Sequence, residues 1–387
     1  MKILHTSDWH LGKVIYGLSL IDDQRYFIDN CFFNIIEEEQ PDLIIIAGDI
    51  FDRAIASEDA ISLFDYFITT VAEVYKVPII IITGNHDCPT RVSVGSSLMS
   101  GKGIYIQSKI SKNISPICFE SNNTKINVYM LPYFEPSDAR IALNDDTIRG
   151  FDESYKRIVG EISDRLDTTQ VNILASHCFV TGSTVSDSER KYLGGSEEVG
   201  SSVFDKFDYV ALGHIHKPQK AGKNGRYSGS PLAYSFDEIK SEKSITVLDI
   251  EGKDIKIRQV PIKPLHKMRV IQGTLDEIES KAWQDEEKDA YTCIKLMDTE
   301  NKCMCMERLR KYFPNVLFLT NEYDNSSNYN VKDNYEEVKE FFGRGNDEEI
   351  YKKFMLDVCD IKEISEYELE LFNEIMKESI KQGDGGR

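Results

Sequence analysis

The sequence predicts a layered α/β fold over residues 1–265. Short apolar runs alternate there with longer stretches of helical periodicity, the order expected when strands and helices form separate layers. The runs contain few polar residues, so we expect strands that are buried on both faces. Six runs predict strands, at residues 3–5, 43–47, 79–82, 126–131, 171–176 and 209–212.

Helices are predicted between these strands, at residues 22–39 and 152–166. Another begins after Ser57, a favourable N-cap followed by two acidic residues that suit the helix dipole. Its apolar residues form two stripes, of which one is expected to face the core. The stripes are Ile61, Phe64, Ile68 and Val71, and Leu63, Phe67 and Val74. We expect the second stripe to contact another subunit; the alternative is a helix wedged between two elements of its own domain.

The character of the sequence changes near residue 265. Strand-like and helix-like pieces over residues 266–322 predict a small α/β cap domain, and the polar segment 323–334 reads as a linker. Residues 335–387 are predicted to be helical, and a capping box at Ser365 and Glu368 favours a helix over 366–381. Helices beyond a linker favour docking onto another chain, with folding back onto their own domain as the alternative.

The composition restricts the class of protein. A chain of 387 residues favours more than one domain. The net charge of −19 argues against indiscriminate binding to a polyanion, but residues 271–387 hold 28 acids against 16 bases and carry most of that excess. No apolar run is long enough to span a membrane, and the N-terminus does not resemble a secretory signal, so we expect a cytoplasmic protein.

Metal-ligand side chains follow five of the predicted strands. The strands lead into Asp8 and His10, into Asp49, into Asn85, His86 and Asp87, into His177, and into His214 and His216. Each motif alone is weak, because Gly-Asp turns and buried histidines are common. The carboxyl ends of strands in an open α/β sheet line one crevice, so we expect the five segments to converge.

The ligand types indicate the kind of ion. Aspartate, histidine and asparagine without thiolate suit manganese, iron or zinc, and so many ligands favour two ions. Asp49 is a candidate to bridge the two. Such a pair suits attack of a shared hydroxide on phosphorus, since the ions generate hydroxide at neutral pH and neutralise phosphoryl oxygens.

This series of motifs resembles the calcineurin-like metallophosphoesterases, and more closely the SbcD-type nuclease subunits. The resemblance covers essentially the whole chain and rests on HTSDWHLGK, AGDIFDRA, TGNHDCPTR, GGSEEV, FDYVALGHIHKPQ and YSGSPLAYSFDE. It implies a four-layer sandwich of two mixed sheets flanked by helices, with a small α/β cap domain and C-terminal helices. The phosphoesterase domain would then be residues 1–265.

The resemblance also implies a role for each residue of the site. One ion would be held by Asp8, His10, Asp49 and His216, and the other by Asp49, Asn85, His177 and His214. His86 would be catalytic, protonating the leaving oxygen or stabilising the transition state, and Asp87 would orient His86. A turn residue that caps the following loop is the alternative for Asp87. Asp52 stands where some relatives have a second histidine. Arg53 is expected to form a surface salt bridge, and His5 and His266 are expected to be structural.

The predicted function is that of a manganese-dependent DNA nuclease. The resemblance implies exonuclease action on duplex ends and endonuclease action on single strands or hairpins, in DNA repair and recombination. An SbcC-type ATPase would bind the C-terminal helices, and the nuclease would form a homodimer within a heterotetramer. The alternatives are a phosphoesterase for small substrates, a phosphoprotein phosphatase, and a scaffold without catalysis.

Overall fold

The computed structural model describes residues 1–189, 197–298 and 302–321, together with Leu369 and Phe372. The chain divides into two compact units, Met1–Thr320 and Asn321–Arg387. The predicted linker at 323–334 lies outside the described residues. So do the predicted partner-binding region 335–387 and its helix at 366–381, apart from Leu369 and Phe372, which are both helical.

The strands coincide with the apolar runs and add others at the sheet margins. In the first half of the chain they are β1 (Lys2–Thr6), β2 (Val14–Ile15), β3 (Leu18–Ser19), β4 (Leu43–Ala47), β5 (Ile79–Ile82), β6 (Ile104–Gln107), β7 (Ile117–Ser121), β8 (Thr124–Leu131), β9 (Val171–His177) and β10 (Phe179–Val180). The later strands are β11 (Glu198–Val199), β12 (Tyr209–Gly213), β13 (Gln219–Ala221), β14 (Gly225–Tyr227), β15 (Ser244–Glu251), β16 (Asp254–Pro261), β17 (Met268–Gly273), β18 (Tyr291–Leu296) and β19 (Val316–Asn321). All six predicted strands are present.

The helices lie between these strands. The α-helices of the described ranges are α1 (Ile21–Tyr26), α2 (Phe33–Glu39), α3 (Glu58–Thr70), α4 (Pro89–Val92), α5 (Ser96–Met99), α6 (Pro136–Leu143), α7 (Gly150–Ser163), α8 (Leu275–Ala282) and α9 (Lys302–Arg310). A π-helical turn at Phe27–Phe32 joins α1 to α2, so the helix predicted at 22–39 is continuous but locally widened. A second π-helical turn, Val71–Tyr75, extends α3. In the part that the structure describes, no helix is both long and apolar enough to span a bilayer.

Two mixed sheets, each six-stranded within the described residues, form the centre of the first unit. One has the order β16-β15-β1-β4-β5-β6 and the other the order β13-β14-β12-β9-β8-β7. In the first sheet β1, β4, β5 and β6 run parallel, with β15 antiparallel to β1. In the second, β8, β9, β12 and β14 run parallel. The strands that lead into the metal-ligand motifs are therefore central and mutually parallel in their sheets.

The sheets pack face to face and each is covered by helices on its outer face. Alternate residues of the central strands, such as Ile45 and Ile173, are fully buried in the apolar cluster between the sheets. The intervening residues, such as Ile46, pack with the helices instead. This arrangement confirms the predicted four-layer α/β sandwich and explains why the central strands are apolar on both faces.

Helix α3 corrects one prediction from the sequence. Ser57 is its N-cap, as expected, with its hydroxyl accepting a hydrogen bond from the Ala60 amide at 3.3 Å. However, Leu63 and Phe67 are completely buried in the same core as the other stripe, where Phe67 packs 4.6 Å from the ring of Trp9. The expectation that this second stripe needs another subunit was wrong for these two residues. The ring of Phe67 also packs 5.4 Å from that of Phe32 in the π-helical turn and 6.1 Å from that of Phe33 in α2.

Residues 268–321 form a smaller layered structure. Strands β17, β18 and β19 make a sheet whose apolar side chains pack with those of α8 and α9 in a separate core, which includes Ile294, Leu309 and Phe313. A buried contact joins this structure to the two-sheet fold, because the Tyr291 hydroxyl donates to the Asp23 carboxylate at 2.6 Å. His266 also contacts Asp23, at 3.0 Å.

Candidate metal centre

The predicted ligands converge at the carboxyl ends of β1, β4, β5, β9 and β12. Four of the ligand residues leave these strands with positive φ: Asp8 at 55°, His10 at 44°, Asp49 at 51° and His214 at 103°. This conformation is unfavourable for residues with a Cβ, and such strain is concentrated at functional sites. The sharp turns direct successive side chains into one crevice instead of along the strand.

Close packing of the two sheets also constrains the backbone at the site. A Cβ placed on Gly213, the residue before His214, would lie 1.9 Å from the carbonyl oxygen of Ala47. No side chain fits there, because real Cβ contacts essentially never fall below 3.0 Å. Glycine at this position therefore allows β12 of one sheet to approach β4 of the other and brings His214 to the ligands of the first sheet.

One half of the site contains Asp8, His10, Asp49 and His216. The Nε2 atoms of His10 and His216 face each other at 3.1 Å, and the His10 Nε2 lies 3.5 Å from Asp49 Oδ2. Asp8, His10 and His216 offer ligand atoms that all lie within 4.8 Å of one another, and all three residues are buried. The geometry suits a single ion bound among these atoms.

The other half contains Asp49, Asn85, His177 and His214. The Asn85 Oδ1 atom lies 3.0 Å from both the His177 Nε2 and the His214 Nδ1. Asp49 Oδ2 is 3.5 Å from the His177 Nε2, the same distance that separates it from the His10 Nε2. The Asp49 carboxylate therefore stands between the two halves, as a bridging ligand would.

The predicted ligands are held by contacts on their far sides. The His177 Nδ1 donates to the Ala47 carbonyl oxygen at 2.9 Å, which directs Nε2 at the site. Asp8 accepts hydrogen bonds from the Ser7 hydroxyl at 2.5 Å and from the His214 amide at 2.9 Å. Ligand orientations are thus fixed by neighbouring protein groups, as in metal sites generally.

Charge within the crevice also suits divalent cations. Burial raises the pKa of Asp8, and the nearby Asp49 raises it further. Burial also lowers the pKa of His10, and it lowers that of His214 to about 3, so these rings are neutral and able to act as ligands. Burial opposes the charge on His177 as well, but Asp49 outweighs it and the pKa of His177 rises to about 9. Two buried carboxylates that repel each other, together with the neutral rings of His10 and His214, fit divalent ions.

His86 lies at the edge of the site and is only half-buried. Its Nδ1 contacts the Asp52 carbonyl oxygen at 2.9 Å; since a carbonyl only accepts, this nitrogen carries the proton. Its backbone amide donates to Asp49 Oδ1 at 2.9 Å, and its ring packs 4.7 Å from that of His10. The remaining nitrogen, Nε2, is the one left for chemistry.

The predicted role of Asp87 needs correction. Its carboxylate accepts hydrogen bonds from the backbone amides of Gly84 at 2.9 Å, Phe51 at 2.9 Å and Ile50 at 3.2 Å. It therefore ties the loop after β4 to the loop after β5, and the Asp52 carbonyl contacts His86 in its place. Asp87 acts on the backbone that carries Asp49 and Asn85 instead of orienting the imidazole of His86.

The other residues singled out from the sequence lie outside the ligand cluster. His5 is buried in β1 with its Nδ1 2.9 Å from the Tyr209 hydroxyl. The guanidinium of Arg53 is 75% exposed and lies 3.6 Å from the Asp52 carboxylate, as expected of a surface pair. Asp52 also pairs with the Lys13 ammonium at 2.7 Å.

A second layer of polar residues was not predicted from the sequence. Behind His216, Ser188 Oγ lies 2.7 Å from Nδ1, and Glu238 and Lys243 form a buried ion pair at 2.5 Å. Although Glu238 is buried, its contacts with His216 and Lys243 hold its pKa far below the usual range. Glu189 accepts a hydrogen bond from the His216 amide. Of these residues, only Glu238 lies in a segment that the sequence had singled out, at the SFDE end of YSGSPLAYSFDE.

Comparison with protein-family models agrees with the fold. The calcineurin-like phosphoesterase family matches residues 1–218, which is more than half of the chain and includes every predicted ligand. The SbcD C-terminal domain, described as the type 5 capsule protein repressor C-terminal domain, matches residues 264–356. The two matches in this order are consistent with an SbcD-type nuclease subunit.

Proposed function

The chain belongs to the calcineurin-like phosphoesterase family and is a metal-dependent phosphodiesterase, and we propose that it is a manganese-dependent DNA nuclease. The observation that carries the proposal is the SbcD C-terminal domain at residues 264–356, directly after the phosphoesterase fold. We propose exonuclease action on duplex ends and endonuclease action on single strands or hairpins, in the service of DNA repair and recombination in the cytoplasm.

The proposed ligands divide into two sets that share Asp49. Asp8, His10, Asp49 and His216 would hold one ion, and Asp49, Asn85, His177 and His214 the other. The equal 3.5 Å distances from Asp49 Oδ2 to the His10 and His177 nitrogens support the shared role. Nitrogen and oxygen donors without thiolate support manganese as the ion.

Two bound divalent ions would supply a water-derived nucleophile at neutral pH and offset the charge of the phosphoryl oxygens. The protein's own part is to hold the donors and to manage the proton on the leaving group. His86 is proposed to act in its imidazolium form: Nδ1–H stays bound to the Asp52 carbonyl, Nε2–H is given to the departing oxygen, and a neutral ring protonated on Nδ1 remains. Asp87 is proposed to support this step by fixing the loops that carry Asp49 and His86.

An SbcC-type ATPase is the proposed partner, bound through residues 335–387. The family match ends at residue 356, within that region, which supports the assignment. We also propose a homodimer within a heterotetramer. Helix α3 and its π-helical extension leave Ile61 49% exposed and Val74 69% exposed, and these apolar side chains remain available to a second subunit.

A comparison of substrates tests the proposed activity. The manganese-loaded protein would be given end-labelled duplex DNA, a single-stranded hairpin and the chromogenic diester bis(p-nitrophenyl) phosphate. We expect cleavage of both DNA substrates, abolished by a chelator and restored by Mn²⁺. Hydrolysis of the chromogenic diester with no cleavage of DNA would favour a phosphoesterase for small substrates.

A pull-down with an SbcC-type ATPase tests the partner. The full chain is expected to co-purify with the ATPase, and a chain lacking residues 335–387 is expected not to. The truncated chain should still hydrolyse the chromogenic diester, because every proposed ligand lies before residue 217. If the truncated chain still co-purifies with the ATPase, the ATPase binds the phosphoesterase domain or the cap domain instead.

A further inference from the structure

The polar layer behind His216 has an order that fixes the direction of each hydrogen bond. The Nδ1 of His216 lies 2.7 Å from Ser188 Oγ, and the Ser188 hydroxyl lies 2.5 Å from Glu238 Oε1. An ionised carboxylate accepts and cannot donate, so the Ser188 proton points to Glu238. The Ser188 oxygen must then accept from His216, which places the proton on Nδ1.

This proton placement decides whether His216 can act as a ligand. Neutral imidazole carries one proton, so a proton on Nδ1 leaves a lone pair on Nε2. Nε2 is the atom that faces the His10 Nε2 at 3.1 Å, inside the proposed metal site. The opposite tautomer would direct an N–H bond at the ion.

Glu238 is itself held in one orientation. It is 2% exposed, its Oε2 atom accepts from the Lys243 ammonium at 2.5 Å, and its Oε1 atom accepts from the hydroxyls of Ser188 at 2.5 Å and Ser235 at 3.0 Å. Lys243 also donates to the His216 carbonyl oxygen at 2.9 Å and to the Ser230 hydroxyl at 2.8 Å. The same ion pair thus fixes the backbone of His216 and the acceptor at the far end of its ring.

We propose that Glu238 is a positioning residue that, through Ser188, fixes His216 in the tautomer able to bind a metal ion. The proposal rests on the proposed function in so far as His216 is taken as a ligand of one ion. Glu238 touches neither that ion nor the substrate. It acts on the first ion site and leaves the second, formed with Asn85, His177 and His214, unchanged.

Substitution Glu238→Gln tests the direction of the two hydrogen bonds that run from His216 to Ser188 and from Ser188 to Glu238. The amide of glutamine has one acceptor and one donor end, and the Lys243 ammonium requires the acceptor. The NH₂ group then faces Ser188 and donates to its oxygen, so the Ser188 hydroxyl turns toward His216 and donates to Nδ1. This favours the His216 tautomer with its proton on Nε2. Glutamine is nearly the same size as the glutamate it replaces.

The readout is metal binding by the full chain without DNA. Titration of metal-free protein with Mn²⁺, followed by calorimetry and electron paramagnetic resonance, should show two ions in the wild type. For Glu238→Gln we expect one ion to bind as in the wild type and the other about 10- to 100-fold more weakly. Ser188→Ala should weaken the same ion, because it removes the acceptor of the Nδ1 proton.

Two further variants separate positioning from stability. Glu238→Asp keeps a carboxylate and should bind the weakened ion better than Glu238→Gln does. Glu242→Gln removes the same charge at an exposed position four residues away and should match the wild type. Unfolding temperatures of the metal-free variants show whether each is folded.

Several outcomes would overturn the proposal. If both Glu238→Gln and Ser188→Ala bind the two ions as the wild type does, the hydrogen bonds from His216 through Ser188 to Glu238 have no role in metal binding. If both ions are weakened equally, Glu238 has only a structural role. Because the titration contains no DNA, a protein that shows the expected split but cleaves no DNA would count against the proposed function alone. A wild type that binds no ion would count against both.

Discussion

Gly84 provides the most direct test of the shared carboxylate. A Cβ at this position would lie 2.2 Å from Asp49 Oδ1 and 2.5 Å from the Asp49 amide nitrogen, whereas ordinary contacts begin at 3.4 Å. Gly84→Ala must therefore displace the Asp49 carboxylate, or the loop carrying Asn85 and His86, by roughly 1 Å. A displacement of this size at a catalytic centre costs about 100-fold in rate.

Both ion sites should be affected by this substitution, because Asp49 Oδ2 lies 3.5 Å from ligand nitrogens of each. We expect about 100-fold slower cleavage of end-labelled duplex DNA in saturating Mn²⁺. Calorimetry should show weaker binding of both ions, in contrast to the single ion affected by Glu238→Gln.

The control is Gly160→Ala in the interior of α7, where an added Cβ meets nothing within 4 Å. It should leave cleavage unchanged and raise the free energy of unfolding by about 0.5–1 kcal/mol, since alanine favours a helix over glycine. Cleavage and metal binding by Gly84→Ala that match the wild type would refute the assignment of Asp49 as the bridging ligand.

Three further predictions concern proton transfer, packing and acid stability. His86→Ser should retain both ions in a Mn²⁺ titration while cleavage falls by about 10²–10⁴-fold; full cleavage would remove its catalytic role. Phe67→Ala should lower the free energy of unfolding in urea by about 3–5 kcal/mol because Phe67 is fully buried. Val74→Ala should have little effect because the Val74 side chain is 69% exposed. Arg258 lowers the pKa of Glu39 from 4.5 to about 2, so the ionised carboxylate stabilises the fold above pH 4.5 and this contribution is lost as the pH falls toward 2. The difference in unfolding free energy between the wild type and Glu39→Gln should therefore be constant near neutral pH and shrink over that acid range; a constant difference throughout would contradict it.

The central strands were predictable because burial on both faces leaves a continuous apolar run. Strands β4 and β5 begin and end at the predicted residues, 43–47 and 79–82. Strands at the sheet margins were not identified: β16, for example, is largely exposed and carries charged residues among its apolar ones. An edge strand needs only its pairing partner, which local sequence does not reveal.

The two errors have a common physical cause. Helix α3 was expected to need a second subunit because two apolar stripes exceed what one sheet can cover, but Leu63 and Phe67 of the other stripe are buried in the core of the same chain. Asp87 was expected to orient His86, with a turn residue that caps the following loop as the alternative, yet its side chain turns to the backbone of Ile50, Phe51 and Gly84. In both cases the missing information is a contact between segments distant along the chain.

The predicted ligands could be found from the local sequence, whereas the residues that support them could not. The ligands follow strands, and parallel strands bring their carboxyl ends together whatever loops come after, so a list of strand-end residues already predicts a cluster. Ser188 and Glu238 follow no central strand, and they meet His216 from 28 and 22 residues away because of the particular course of two loops. Substitutions in that layer are the ones expected to change the affinity for one ion without removing any ligand.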